Sequence, residues 1–131
     1  MALNKKKKVG NYILILENDR RYSRVCELKL KIEGFAVKVV ANVSDFFVEL
    51  KRGLPDLILL DLMLEESTGF EVLEKIKKDA HLKKLKVVVY SGLGQDEDRE
   101  KALKLGAVEY LNKSEITLQQ LVQEVKRQLG S

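Results

Sequence analysis

The sequence is short of several features that would define its class. Its one cysteine, Cys26, excludes an internal disulfide and fits a reducing cytoplasm. No apolar run approaches the length that spans a membrane, and the basic start of the chain lacks the apolar stretch of a signal peptide. A Gly-rich lysine loop for a nucleotide is also missing. We therefore expect a cytoplasmic protein that contacts no membrane.

The excess of positive charge is confined to one short run. The net charge is +4, and four lysines lie at residues 5–8; without them, 20 Lys and Arg balance 20 Asp and Glu. A balanced body argues against direct binding of nucleic acid, which needs a basic surface. Residues 1–10 are predicted to be a basic, disordered tail, with a weak contact to an acidic partner as the minority interpretation. Residues 11–131 are long enough for one domain with a sizeable core.

Strand-like and helix-like segments alternate five times along the chain. Val25, Leu28 and Ile32 share one face of the first predicted helix, and Ser44 can cap the second. Because the central strands are apolar at every position, we predict a doubly wound α/β fold, with five parallel strands and helices on both faces. The predicted strands are residues 11–16, 35–40, 57–60, 86–90 and 107–111. The predicted helices are residues 20–32, 44–52 and 96–105, and two more that begin at the capping boxes Thr68–Glu71 and Thr117–Gln120.

Polar residues follow several of these strands, where such sheets place their functional cleft. Carboxylates that crowd together need a cation, and a ligand set of oxygens alone suits Mg²⁺. A carboxylate beside that ion can attack phosphorus, while a lysine and a hydroxyl hold the charge of the transferred phosphoryl group. The residues placed at this rim are Glu17, Asn18, Asp19, Asp61, Ser91 and Lys113.

Each of these residues also has a simpler interpretation. The acidic stretch after the first strand could be the polar start of a helix, and alone we would favour that. Ser91 alone would be a turn residue, and Lys113 alone a surface lysine. Asp61 is harder to dismiss, because an acid that closes a buried apolar strand is costly without a role. The shared position of the set at strand ends is what favours a site.

Five segments of the chain carry a family resemblance: ILILEND, PDLILLDLML, TGFEVLEKIK, VVVYSG and GAVEYLNKS. Together they resemble the receiver domain of two-component response regulators, over nearly all of residues 11–129. The resemblance implies a flavodoxin-like fold of the receiver type, with Asp61 as the phosphoacceptor. It also implies that Ser91 and Lys113 assist the transfer, and that Ser91 and Tyr110 form the switch. Mg²⁺ would bind Asn18, Asp61, the main-chain carbonyl of Met63 and, through water, Glu17.

The implied function is that of a phosphoacceptor that assists its own phosphorylation and dephosphorylation, and not that of an enzyme. A histidine kinase or phosphotransfer protein would donate to Asp61. The face formed by the fourth helix, fifth strand and fifth helix would then contact a downstream protein. We expect a monomer or a weak, phosphorylation-dependent dimer. The alternative is a pseudo-receiver, an interaction module that signals without phosphorylation. A phosphoaspartate hydrolase lacks support, because Met63 stands where a second acid is expected.

The sequence departs from the family pattern at four positions. Asn18 replaces the usual aspartate, so it keeps an oxygen but loses a charge, and Mg²⁺ should bind more weakly. Glu65 and Ser114 each stand where a proline is usual, and Thr68 stands where an aspartate is common. Two further positions flank the path of the water that attacks the phosphoryl group in this family. They hold Met63 and Leu93, which are apolar and bulky, so slow self-dephosphorylation is expected.

Overall fold

The structure, a computed structural model, describes residues 11–130; the predicted tail and Ser131 lie outside this range. Five parallel strands form one sheet in the order β2-β1-β3-β4-β5, which confirms the predicted doubly wound fold. No helix in residues 11–130 is both long and apolar enough to cross a membrane. The elements are β1 (Tyr12–Leu16), α1 (Arg20–Ile32), β2 (Ala36–Val40), α2 (Val43–Arg52), β3 (Leu57–Leu60), α3 (Gly69–Lys78), β4 (Lys86–Ser91), α4 (Asp96–Lys104), β5 (Glu109–Asn112) and α5 (Leu118–Leu129).

Two hydrophobic clusters, one on each face of the sheet, hold the layers together. Helices α1 and α5 cover one face, and α2, α3 and α4 cover the other. Full burial of a single Leu or Val side chain stabilises a fold by about 1.5–3 kcal/mol, so these clusters dominate its stability. The helix residues buried in them are Cys26, Leu30, Leu121, Val122 and Val125 on the first face, and Phe46, Leu50, Val72, Leu73, Ile76 and Ala102 on the second.

Strand β2 lies at an edge of the sheet and differs from the central strands. Strand β3 is buried at every residue, whereas Ala36 and Lys38 of β2 are exposed. A charged lysine on an edge strand discourages pairing with a second sheet. Continuous apolar character therefore predicts the central strands better than the edge.

The orientation of α1 differs from the one that its largest apolar residues suggest. Val25, Leu28 and Ile32 are 46%, 57% and 78% exposed, whereas Cys26 and Leu30 are buried. The buried stripe includes small side chains, which let the helix approach the sheet closely. Hydrophobicity alone gives weight to the larger residues of the outer stripe, and for that reason it selects the wrong face.

The caps of the helices are mostly those that the sequence predicts. The capping boxes at Thr68 and Thr117 are both present, so those two predictions are confirmed. For α2 the prediction of Ser44 is wrong. The side chain of Asn42 accepts a hydrogen bond from the Asp45 amide at 2.8 Å, and α2 begins at Val43. Asparagine is as good a cap as serine, so either position was possible in the sequence.

The start of α3 packs directly against the end of β3, and this contact leads to a stability prediction. A Cβ atom at Gly69 would lie 2.4 Å from the Asp61 carbonyl oxygen and 2.7 Å from Leu62 Cα. Both are main-chain atoms, so neither can move aside cheaply. We expect Gly69→Ala to lower the free energy of unfolding by about 2 kcal/mol, the usual cost of overpacking. Urea denaturation followed by circular dichroism measures this change.

Gly53→Ala is the matched control for that measurement. Apart from Gly53 and its chain neighbours, no atom of residues 11–130 lies within 4 Å of the position that a Cβ would take there, and its φ of 176° is open to any residue. The control should stay within about 0.5 kcal/mol of the wild type, as surface substitutions usually do. Equal losses in the two variants would show that Gly69 is not required for the close approach of α3 to β3.

Candidate functional site

Two acidic residues follow adjacent strands at the carboxyl edge of the sheet. The Glu17 amide donates to the Val40 carbonyl at 3.1 Å, and the Asp61 amide donates to the Leu16 carbonyl at 3.1 Å. The sheet pattern thus continues for one residue beyond β1 and β3 and fixes the backbone of both acids. Glu17 and Asp61 are each only 4% exposed. Two carboxylates are therefore held at the end of an apolar core.

Lys113 follows β5, and its side chain reaches both of these carboxylates. Its amide donates to the Ser91 carbonyl at 2.9 Å, which anchors its backbone to β4. Its buried ammonium donates a hydrogen bond to Glu17 Oε1 and lies 3.8 Å from Asp61 Oδ2. One positive charge therefore serves two buried acids, and the group keeps an excess of negative charge.

The protonation of Glu17 reflects this crowding. Burial is the largest influence on its pKa and raises it. The hydrogen bond from Lys113 opposes that effect, and repulsion from Asp61 adds to it. The result is a Glu17 pKa of about 7. A nearby cation would favour the charged form of this carboxyl group.

Backbone hydrogen bonds orient the side chains of Asp61 and Ser91. Asp61 Oδ1 accepts a hydrogen bond from the Met63 amide at 3.2 Å, which leaves Oδ2 as the oxygen nearer to Lys113. Ser91 is fully buried at the end of β4, and its Oγ accepts from the Leu93 amide at 3.4 Å. The Met63 side chain is 55% exposed at the mouth of this group. The structure thus places Asp61, Ser91 and Lys113 at one edge of the sheet.

The residues after Glu17 divide between this group and α1. Asp19 caps α1: its Oδ1 accepts from the Arg21 amide at 3.0 Å, and its Oδ2 pairs with the Arg21 guanidinium at 3.2 Å. Its carboxylate is committed to the helix start, so it does not replace the acid that is missing at Asn18. Within residues 11–130 no three His, Cys, Asp or Glu side chains are grouped as metal ligands. Asn18 carries an amide in place of a carboxylate, so it does not add a third acid to Glu17 and Asp61.

The donor set nevertheless suits a hard dication. Glu17 and Asp61 could supply buried carboxylates. Asn18, the next residue after Glu17, and the carbonyl of Met63, two residues after Asp61, could supply neutral oxygens. Oxygen ligands of this kind are those that Mg²⁺ prefers. The single ammonium of Lys113 leaves negative charge for a cation to neutralise.

Tyr110 lies inward and contacts the loop after β4. It is 5% exposed and packs in the cluster on the face of α2, α3 and α4. Its hydroxyl donates to the Leu93 carbonyl, and burial raises the pKa of that hydroxyl. Arg99 Nη1 donates to the Tyr110 carbonyl at 3.1 Å. The structure thus shows Tyr110 buried, and its expected role in the switch stays a prediction.

Two residues near the rim were missed by sequence reasoning. Arg99 holds the backbone of β5 from α4, and the ring of Tyr22 lies 4.2 Å from the Lys113 ammonium. Arg99 has no local motif to reveal it. Tyr22 could have been found from its place in the first turn of α1, because that turn lies at the carboxyl edge of the sheet.

The chain is similar to a known protein family and to individual proteins of known name. The family described as "response regulator receiver domain" matches residues 13–126. The protein RcaC of Microchaete diplosiphon is 30% identical over 105 residues, which are 80% of this chain and 16% of RcaC. The chain spans less than half the length of such curated relatives.

Two solved structures are similar over most of both chains. The Mn²⁺-bound form of response regulator Rcp1 has a TM-score of 0.79 and 28% identity, and the match covers 88% of this chain and 91% of Rcp1. The phosphorylated cyanobacterial phytochrome response regulator RcpA has a TM-score of 0.77 and 31% identity, with 90% of each chain covered. The similarity in fold therefore extends over most of this chain and of both neighbours.

Proposed function

Because the chain belongs to the response regulator receiver domain family, we propose that it accepts a phosphoryl group on Asp61 with the help of Mg²⁺. One observation carries this proposal: the Lys113 ammonium contacts Glu17 and lies 3.8 Å from Asp61 Oδ2 at the carboxyl edge of the sheet. A nucleophilic carboxylate, a second acid and a fixed cation are the parts that phosphoryl transfer requires.

The hydrogen bond that Asp61 Oδ1 accepts from the Met63 amide would orient the carboxylate for attack. Its Oδ2 would form the new bond to phosphorus while the bond from phosphorus to the donor nitrogen or oxygen breaks, and the electron pair leaves with the donor. Lys113 and the Ser91 hydroxyl would then hold the phosphoryl oxygens. Asp61, Asn18, the Met63 carbonyl and, through water, Glu17 would hold the ion. When bound, Mg²⁺ would supply positive charge that offsets the carboxylates and the incoming phosphoryl group.

A short path of hydrogen bonds supports a switch between this site and β5. The Leu93 amide donates to Ser91 Oγ, and the Leu93 carbonyl accepts from the Tyr110 hydroxyl. Movement of Ser91 toward a phosphoryl group would therefore act on Leu93 and then on Tyr110. The face built by α4, β5 and α5 would pass the signal to a downstream protein.

The proposed donor is a histidine kinase or a phosphotransfer protein. The chain spans less than half the length of relatives that include a DNA-binding regulator, so the expected lack of nucleic-acid contact stays a prediction. The pseudo-receiver alternative is not supported, since Asp61, Ser91 and Lys113 are all retained and buried at one edge.

The test is incubation with acetyl phosphate or phosphoramidate and Mg²⁺, followed by intact mass. The protein should gain one phosphoryl group, and excess EDTA should prevent the gain. If the wild type stays unmodified at high donor and high Mg²⁺, the proposal fails.

Slow loss of the phosphoryl group is a further prediction about this site. Water must approach phosphorus opposite the Asp61 oxygen, and speed requires a polar group that orients it. Leu93 is partly buried against the core, so it does not simply point into solvent. A Cβ atom at Gly92 would lie 3.9 Å from Met63 Sδ, so the Met63 side chain lies near the loop after β4. We expect slow decay in the wild type and roughly tenfold faster decay in Met63→Asn or Leu93→Glu, a modest acid–base contribution. The measurement is loss of phosphorylated mass after donor removal.

Leu54→Asn is a control for the decay measurement. Leu54 is exposed and precedes β3, at the amino end of that strand and so at the far end from Asp61. Loss of the phosphoryl group from this variant should be as slow as from the wild type. If neither Met63→Asn nor Leu93→Glu changes the decay, these side chains do not control the approach of water.

A further inference from the structure

The Lys113 ammonium lies against two aromatic rings as well as two acids. It is 4.2 Å from the centre of the Tyr22 ring and 5.5 Å from that of Tyr90. A cation within about 6 Å of a ring centre is attracted by the negative face of the ring. Tyr90 is buried, whereas Tyr22 is 42% exposed. Tyr22 thus covers the ammonium where it would otherwise meet solvent.

Both ends of this contact are fixed by the backbone. The first turn of α1, which carries Tyr22, is held by the Asp19 cap. The backbone of Lys113 is held by the Ser91 carbonyl. The main chain does not fix the rotamers of the four-carbon lysine stem, so side-chain contacts must hold the ammonium in place.

The space into which the lysine could move is visible beside it. An open groove of about 410 Å³ lies between α1 and the β5–α5 segment. Tyr22 and Lys113 both line it, together with Arg21, Val25, Ile116 and Leu118. If the ammonium moved into this groove and became hydrated, it would no longer contact Glu17 or lie near Asp61.

We propose that Tyr22 is a positioning residue that holds the Lys113 ammonium between Glu17 and Asp61. The effect of Tyr22 on phosphoryl transfer rests on the proposed function, whereas its effect on the position of the Lys113 ammonium does not. The competing explanation is that Tyr22 is a half-exposed aromatic residue that packs without effect on Lys113. Tyr22→Leu and Tyr22→Phe separate the two, because leucine keeps apolar bulk without a ring and phenylalanine keeps the ring.

The first experiment measures the accessibility of Lys113 in metal-free protein. Reductive methylation of lysines is followed at Lys113 by peptide mass. We expect Lys113 to be methylated about fivefold faster in Tyr22→Leu than in the wild type. A factor of this size corresponds to the loss of roughly one exposed cation–π contact. Tyr22→Phe should match the wild type, as should Leu28→Ala, an exposed residue farther along α1. A Tyr22→Leu rate equal to that of the wild type, or a Tyr22→Phe rate equal to that of Tyr22→Leu, overturns the proposal.

The second experiment measures the rate of phosphorylation by acetyl phosphate. Tyr22→Leu should slow it by about fivefold, and Tyr22→Phe should restore it. In a Lys113→Met background, Tyr22→Leu should cause no further loss, because residues that act through one another are not additive. A full additional loss in that background overturns the proposal. If the wild type accepts no phosphoryl group, the proposed function fails, and the methylation rates still decide the role of Tyr22.

Discussion

Asp61→Asn should abolish the gain of a phosphoryl group from acetyl phosphate. An amide is a poor nucleophile, and an acyl phosphate requires a carboxylate oxygen at this position. Asp61 is held in place by the Leu16 carbonyl and the Met63 amide, both of which an asparagine leaves intact. The variant should therefore fold normally, and circular dichroism and thermal unfolding check that it does. Intact mass after incubation with the donor and Mg²⁺ measures the loss.

Glu66→Gln is the matched control for Asp61→Asn. Glu66 is an exposed acid between β3 and α3, so its loss removes one charge near Asp61 without touching the buried group. The control should be phosphorylated like the wild type. Phosphorylation of Asp61→Asn would identify another acceptor, and Glu17 would then be the first candidate because it contacts the same lysine.

The fold is predictable from sequence because several local signals agree. Strand β3 is apolar at every residue and is buried at every residue. The capping boxes at Thr68 and Thr117 mark two helix starts correctly. These features depend on residues that are close in the sequence, so they can be predicted without knowledge of tertiary contacts.

The features that the sequence could not settle depend on contacts between distant elements. The orientation of α1 follows from how closely it packs on the sheet, which small residues such as Cys26 permit. The contact of Tyr22 with Lys113 joins residues 91 positions apart, and no motif links them. The rim acids were predictable because a parallel sheet gathers its strand ends. That Glu17 and Asp61 share the ammonium of Lys113 was not predictable from the sequence.

The substitution of Asn18 by aspartate should tighten Mg²⁺ binding and lower the Mg²⁺ needed for phosphorylation. A dication and a unit charge 4 Å apart attract by about 2 kcal/mol even at the dielectric constant of water. The affinity should therefore rise by at least about tenfold. Asp19 cannot already provide this charge, because its carboxylate caps α1. Isothermal titration of Mg²⁺ into both proteins measures the difference.

The same change should weaken the protein when no metal is present. A third acid would join Glu17 and Asp61, while Lys113 supplies one positive charge to the group. We expect a loss of about 1 kcal/mol in the free energy of unfolding without metal, from repulsion between like charges at the rim. Millimolar Mg²⁺ should reverse that loss, because binding to the folded state alone stabilises it. Thermal unfolding with and without Mg²⁺ tests both statements.

Gln123→Glu separates a local effect from a general effect of charge. It adds the same charge on the exposed face of α5, so its Mg²⁺ affinity should equal that of the wild type. Equal affinities for the wild type and Asn18→Asp would mean that a nearby acid already supplies the missing charge. Glu65 is the candidate, since Asp19 is committed to its cap, and Glu65→Gln would then weaken binding. If Glu65→Gln also leaves the affinity unchanged, charge at this rim does not govern the ion, and the proposed ligand set is wrong.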